Sequence, residues 1–232
     1  MPEKEPQIIA LGGGGFSLDA YVLRQARSKV PRVAFLPTAS GDADSYIVGF
    51  YSAFSKLDCH PSHLPFFKRT PELRKYVLGQ DVIYVGGGNT KSMLAVWRDY
   101  ELPNILREAW QQGIVLAGVS AGAICWFEQG VTDSYSERLS AMSCLGFLPG
   151  SCCPHYDSEP ERRPTYHKLL LTGEVSAGLA IEDGVAVHFV GRMIHTVVAS
   201  KPGAKAYRVY ATGGAVKEEA LTVEYLEETR SA

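Results

Sequence analysis

The sequence predicts an α/β fold: a mostly parallel, doubly wound sheet with helices on both faces and a C-terminal extension of antiparallel strands. Three observations carry the prediction. Short, continuous apolar runs alternate with helix-like segments over the first two-thirds of the 232 residues. Strands buried on both faces look like this, and helical connections between them imply parallel neighbours. From about Ala180 the pattern changes to short strands and tight turns. No linker-like segment, internal repeat or low-complexity tract intervenes, so residues 1–232 are expected to form one domain. A hydrophobic content of 46% suits a sizeable core at this length.

Taken in order, Ile8-Ile9-Ala10-Leu11 is the first strand, and it runs into four glycines at 12–15. A helix is expected over residues 18–26. Val33-Ala34-Phe35-Leu36 is the second strand, broken by Pro37. Residues 44–57 read as an amphipathic helix with Tyr46, Phe50 and Phe54 on one face. Val82-Ile83-Tyr84-Val85 is the next strand, again ending in glycines. Asn89 or Thr90 caps a helix reaching about Tyr100. A further helix covers residues 102–112, with Pro103 at a tolerated early position and Gly113 at its stop. Ile114-Val115-Leu116-Ala117 follows as a strand, then a helix over residues 121–127. The late strands are residues 185–190, 193–199, 206–211 and 221–226, with Asp183-Gly184 and Gly213-Gly214 as hairpin turns.

Composition excludes several classes of function. The net charge is −2 with 21% charged residues, which offers no basic footprint for nucleic acid or a membrane surface. No apolar run approaches the roughly 20 residues that span a bilayer. The polar start, Met1-Pro2-Glu3-Lys4-Glu5-Pro6, has no apolar leader core. Five cysteines, an odd number in a chain of this size, point to reduced thiols and a cytoplasmic setting.

In such sheets sites lie beyond the carboxyl ends of the strands. Three of these ends carry unusual residues: 12–15, 86–90 and 118–122. Gly118-Val119-Ser120-Ala121-Gly122 matches the G-x-S-x-G elbow, in which small neighbours allow a sharp strand-to-helix turn and expose the serine oxygen. The strand before it and the helix after it are the context that motif requires. The bland alternative is a glycine-rich turn with an incidental serine. A serine nucleophile also needs a base, a group that orients the base, and donors for the oxyanion. Gly86-Gly87-Gly88-Asn89-Thr90 opens a helix after a strand, and the N–H groups of Gly88 and Ala121 could jointly face an oxyanion. A phosphate loop is the lesser reading, since no G-K-[S/T] follows.

Among six histidines, His155 stands out. It follows Pro154 in an irregular segment, where catalytic histidines tend to sit. His60 and His63 lie in a Pro-broken segment, His167 in a helical stretch, and His188 and His195 in late strands. The orienting carboxylate is left open among Asp133, Asp157, Glu159, Glu182 and Asp183. Cys59-His60-Pro61-Ser62-His63 has metal-binding residue types but no second pair, and Cys152-Cys153 reads as small buried residues beside the site. The glycines at 12–15 lack G-x-G-x-x-G and read as a tight turn near the pocket. Trp97, Trp110 and Trp126 read as helix-packing residues.

The ordered set Gly86-Gly87-Gly88-Asn89-Thr90, Gly118-Val119-Ser120-Ala121-Gly122-Ala123 and Pro154-His155-Tyr156 resembles the peptidase E and cyanophycinase family of serine peptidases. Leu36-Pro37-Thr38-Ala39 is similar too, and the resemblance covers roughly residues 7 to 200. It implies a fold like that of class I glutamine amidotransferases, with Ser120 where those enzymes have cysteine. It further implies a Ser-His-Glu triad of Ser120, His155 and Glu182, with Asp133 as the second choice of acid. The candidate substrate-binding residues are Asn89, Asp133, Asp157, whose carboxylate could repel an acidic substrate or bind a free α-amino group, and an arginine, Arg162 or Arg163, placed where the resemblance implies a reader of an aspartyl side chain. The Tyr156-Asp157-Ser158-Glu159 segment departs from peptidase E by adding two carboxylates near His155.

The expected activity is hydrolysis of small peptides, dipeptides above all and Asp-Xaa among them, through an acyl-enzyme and without metal or organic cofactor. A small peptide is the expected partner, and a homodimer is compatible with the sequence. An esterase or amidase acting on non-peptide substrates, or a non-catalytic binding protein of the same fold, are the alternatives.

Overall fold

The computed structural model describes residues 5–226. Residues 1–4, part of the polar start read above, and residues 227–232 lie outside them. Five parallel strands form the centre of the first sheet: β1 (Gln7–Leu11), β2 (Arg32–Leu36), β3 (His60–His63), β4 (Val82–Val85) and β5 (Val115–Val119). Their spatial order is β1-β5-β4-β2-β3. On the free side of β1 lies β10 (Val185–Val190), antiparallel to it, then β11 (Met193–Ala199) and the short β14 (Glu224–Tyr225).

Alternation along these strands divides the interior. Ile9, Leu11, Val33, Phe35, Val82 and Tyr84 pack on one face with α1 (Phe16–Arg24) and α2 (Asp44–Phe54). Ile8, Ala10, Ala34, Ile83 and Val85 pack on the other. That second face is covered by α3 (Leu73–Leu78), α4 (Thr90–Asp99), α5 (Leu102–Gln111) and the single turn α6 (Ala121–Ile124). Parallel strands sandwiched in this way need apolar residues at every position, which is why their sequences read as unbroken runs.

The expected mostly parallel, doubly wound sheet with an antiparallel extension is therefore present, but a second sheet was not anticipated. It consists of β6 (Phe127–Thr132), β7 (Ser140–Ser143), β8 (Leu148–Cys153), β9 (Gly178–Ile181), β12 (Ala206–Thr212) and β13 (Ala215–Ala220), in the order β13-β12-β9-β8-β6-β7. Phe127, Leu148 and Leu179 carry it onto the core of the first sheet. Its outer face receives α7 (Arg162–Leu171) through Tyr166, Leu169 and Leu170.

Three local expectations are corrected by this architecture. The helix after Ser120 ends at Ile124, and β6 begins at Phe127. Asp183-Gly184 is no hairpin turn, since it carries the chain from β9 in the second sheet to β10 in the first. Of residues 221–226, only Glu224 and Tyr225 are in a strand; the hairpin partner of β12 is β13, joined through Gly213 and Gly214 at φ 57° and 77°. No helix among the described residues is long and apolar enough to cross a membrane.

The junction of β4, β5 and α6 leaves no room for side chains. A Cβ on Gly122 would stand 2.3 Å from the Val85 carbonyl oxygen, a backbone atom that cannot swing aside. Gly122→Ala is expected to lower unfolding free energy in chemical denaturation by about 1–3 kcal/mol, as overpacking does.

Candidate active site

Ser120 sits between β5 and α6 with φ 57° and ψ −113°. Residues with a Cβ rarely adopt such a conformation, and it costs of order 1–3 kcal/mol. The surroundings impose it. The Ser120 N–H donates to Leu11 O at 3.2 Å, and its carbonyl accepts from the N–H groups of Ala123 and Ile124, both at 2.9 Å. Gly87 flanks the side chain closely, for a Cβ there would lie 3.4 Å from Ser120 Cβ. The result is a serine oxygen held at the bend, beside the end of β1.

Gly88 takes φ 131°, and a Cβ on it would meet Ala39 O at 2.3 Å. Neither its N–H nor that of Ala121 makes a hydrogen bond among the described residues. Two uncommitted backbone donors close to a serine are what an oxyanion requires. Asn89 is the helix cap that the sequence offered. Its Oδ1 caps α4 by accepting from Ser92 N–H at 2.8 Å, and its Nδ2 donates to Ser134 O at 3.1 Å. It thereby ties α4 to the loop bearing Asp133, which is exposed.

His155 lies two residues beyond β8, and Asp183 two residues beyond β9, the parallel neighbour of β8. His155 also has a positive φ, 54°, which turns it out of the strand direction. Its Nδ1 is 2.7 Å from Asp183 Oδ1. An ionised carboxylate only accepts, so Nδ1 carries the proton and Nε2 is left as the basic nitrogen. Asp157 supports the pair from behind, its Oδ1 accepting from Asp183 N–H at 2.8 Å. On the other side the carboxylate rests against Gly13, where a Cβ would stand 2.3 Å from Asp183 Oδ1. Leu11 thus holds Ser120, and Gly13, two residues on, makes room for the acid that holds His155. Gly12 and Gly13 serve this close approach, for a Cβ on Gly12 would likewise stand 2.3 Å from Glu182 O. Among the described residues Ser120 Oγ and His155 share no hydrogen bond, and such bonds tighten on substrate binding.

Glu182, expected as the orienting acid, does not meet His155; the carboxylate on its Nδ1 is that of Asp183. The Glu182 N–H still belongs to the ladder with β12, bonding Lys205 O at 3.1 Å. Its carboxylate follows that edge and accepts from Lys205 N–H at 2.7 Å and Tyr207 OH at 3.0 Å. Asp183 is the first residue clear of the ladder, so it is the one free to turn toward His155.

The two arginines are also accounted for. Arg162 is 4% exposed; its Nε donates to Glu159 Oε2 at 2.6 Å and an Nη to Val131 O at 2.8 Å. Buried in this way it clamps Glu159 to the end of β6. Arg163 stacks over Tyr156 with 4.6 Å to the ring centroid and pairs with Glu218 at 3.5 Å. The carboxylates of Asp157 and Glu159 are likewise engaged, on Asp183 and Arg162.

One acid escaped the sequence reading. Asp19 on α1 is 8% exposed, and its Oδ1 accepts from Tyr84 OH at 2.8 Å. Burial pushes its carboxyl up to about 6, with the tyrosine bond offsetting part of the rise. No cation pairs with it among the described residues. The signal was present in the spacing, since Asp19 lies on the helix face of Leu18, Val22 and Leu23, where an acid has no solvent to face. A cleft of about 390 Å³ around Phe127, Met193 and Arg208 touches neither Ser120, His155, Asp183 nor Asp19.

The family model for peptidase family S51 matches residues 8–197. The chain is 52% identical over 228 residues to the uncharacterized peptidase YgaJ of Bacillus subtilis (strain 168), covering 95% of this chain and 99% of the relative. Two solved structures share the fold. A peptidase from an acI-B1 Actinobacterium superposes with a TM-score of 0.73 at 20% identity, covering 95% of this chain and 96% of that one. A candidate peptidase E protein from Listeria monocytogenes EGD-e gives 0.62 at 17% identity, covering 94% and 100%.

Two expectations follow from this geometry. Asp183→Asn should slow reaction with a fluorophosphonate probe by roughly 10²–10⁴-fold, the range lost when a base is left in the wrong tautomer, while Glu182→Gln slows it less than about tenfold. Second-order inactivation rates decide between them, and the reverse ranking would restore Glu182. The second concerns stability. The folded carboxyl of Asp19 titrates near 6, above the ~3.9 of an unfolded chain. Its contribution is therefore fully favourable below about pH 4 and is lost as pH rises through about 6. Asp19→Asn, which keeps an acceptor for Tyr84, should stabilise the fold by on the order of 2–3 kcal/mol at pH 7.5 and by little at pH 4. Urea unfolding at the two pH values measures it.

Proposed function

Given that the chain belongs to peptidase family S51, and so is a serine peptidase, we propose that it hydrolyses small peptides, dipeptides above all, through an acyl-enzyme on Ser120. One observation carries the reading. Ser120 occupies a strained strand-to-helix bend bonded to the end of β1, and the same strand end accommodates the carboxylate that holds His155.

In this mechanism His155 Nε2 takes the Ser120 hydroxyl proton as Oγ attacks the scissile carbonyl. The carbonyl oxygen becomes an oxyanion, and the N–H groups of Gly88 and Ala121 donate to it. Losing one donor of this kind typically costs ~3 kcal/mol of transition-state stabilisation. Asp183 keeps the imidazole in the tautomer with Nε2 free and stabilises the imidazolium that forms. The tetrahedral intermediate collapses as His155 returns the proton to the leaving amine. Water, deprotonated by the same Nε2, then attacks the acyl-enzyme, and collapse releases the acid and the Ser120 hydroxyl. Asp157 acts through Asp183 as a positioning residue.

The proposal does not include a preference for aspartate, because both arginines that would read one are engaged elsewhere. A cytoplasmic setting goes with it, supported by five cysteines of which none is paired.

The test is a dipeptide and tripeptide library incubated with the wild type and with Ser120→Ala. Cleavage by the wild type and a drop of at least about 10³-fold in the variant are expected. Cleavage that survives the substitution would remove Ser120 as nucleophile.

A further inference from the structure

A cleft of about 410 Å³ opens directly beside the elbow, between α1, α2 and the carboxyl ends of β4 and β5. Val119, the residue before Ser120, lines it, as does Gly87, which flanks the serine side chain. Its walls are aromatic. Phe35 stacks on Phe50 with centroids 4.6 Å apart, Phe50 packs on Phe54 at 4.3 Å, and Phe54 meets Tyr84 edge-on at 5.3 Å.

The helix above is unevenly buried. Tyr46, Phe50 and Phe54 fall at four-residue spacing on one stripe of α2, which a filled core would bury throughout. Phe50 is 6% and Phe54 2% exposed, but Tyr46 is 47% exposed and lines the cleft. The stripe therefore extends over open space that a ligand could fill.

Asp19 lines the same cleft. It is a carboxylate among aromatic rings with one hydroxyl for company, and no lysine, arginine or histidine pairs with it among the described residues. A buried acid without a cation is costly to keep, and aromatic faces attract cations. Both costs and attractions are met by one kind of group. We propose that this cleft is the substrate-specificity pocket of the enzyme and takes a cation on an apolar stem, an ammonium or guanidinium, with Asp19 as its counter-ion. An aspartyl side chain would meet repulsion there. The proposal rests on the reading of Ser120 as nucleophile, since it is the adjacency to Val119 and Gly87 that makes the cleft a substrate pocket. The cation can come from a lysine or arginine side chain beside the scissile bond or from a free amino terminus.

The test has two arms. In the first, Ser120→Ala protein is titrated with benzylammonium and with benzyl alcohol, which differ in charge and little in shape. Benzylammonium should bind at least about tenfold more tightly, and adding Asp19→Asn should erase the difference. Equal binding of the two probes, or a difference that survives Asp19→Asn, overturns the proposal. In the second, kcat/KM is compared for peptides with lysine or arginine against methionine or glutamine on either side of the scissile bond, each with free and acetylated amino termini. The cationic members should exceed the neutral ones by roughly 10–100-fold, and that ratio should fall toward one in Asp19→Asn. Dependence on the side chain identifies a lysine or arginine as the source; dependence on the free terminus identifies the α-amino group. A wild-type preference for aspartyl peptides that survives both acetylation of the amino terminus and Asp19→Asn overturns the proposal. Asp19-dependent binding of benzylammonium without hydrolysis of any peptide would uphold the cation pocket while sinking the peptidase reading, so the two failures are separable.

Discussion

The backbone of one residue sets the terms for the rest of this structure. Ser120 must sit at φ 57° and ψ −113°, and nothing about serine favours that. The conformation persists because its neighbours leave no alternative. Leu11 O receives its N–H, two following N–H groups hold its carbonyl, and α6 is packed so tightly on β4 that Gly122 has no room for a Cβ. Local strain of 1–3 kcal/mol is tolerable only where surrounding packing overdetermines the chain, and the doubly covered parallel sheet provides that packing. A hydroxyl fixed at a bend, with backbone donors beside it, is the return on that constraint.

The second sheet has a distinct part. Its parallel strands β8 and β9 deliver His155 and Asp183 side by side, and the chain then crosses to β10, next to β1. The crossing brings the carboxylate over Gly13, two residues past the strand end that holds Ser120. Ser120 and His155 thus come from different sheets, and β1 is the element that relates them. Asp19 and its aromatic surroundings lie on the α1 and α2 side of the same strand ends, so the charges on the two sides of Ser120 differ in kind. One acid is paired with an imidazole, and the other is buried with a tyrosine hydroxyl as its partner and no cation among the described residues.

Much of this was legible in the sequence, for identifiable reasons. The strands β1, β2, β4, β5 and β10 are buried along nearly their whole length, so apolar runs mark them. The elbow declares itself because its tight packing demands small residues at fixed spacing. Most of the second sheet was hidden because its strands are rich in polar and small residues; Phe-Glu-Gln-Gly-Val-Thr and Ser-Ala-Met-Ser carry little apolar signal, whereas β12 matches the strand expected at 206–211. Edge strand β3, His-Pro-Ser-His, is hidden for the same reason. Asp183 could not be told from Glu182, because the difference depends on where the ladder with β12 lets the chain go, a long-range fact. Arg162 and Arg163 were singled out by the resemblance, which could show neither the burial of Arg162 nor the contacts of Arg163 with Tyr156 and Glu218. Asp19 had a local signal, an acid on the apolar stripe of a helix, that a search for motifs passes over.

The account stands or falls on the relation between the Ser120 oxygen and the two backbone donors beside it. The most direct measurement is a crystal structure of the protein after reaction with a fluorophosphonate. The phosphorus is predicted on Ser120 Oγ, with its non-bridging oxygen about 2.7–3.1 Å from the N–H groups of Gly88 and Ala121 and His155 Nε2 turned toward the adduct. An adduct on any other residue, or a phosphoryl oxygen directed away from both donors, would contradict it.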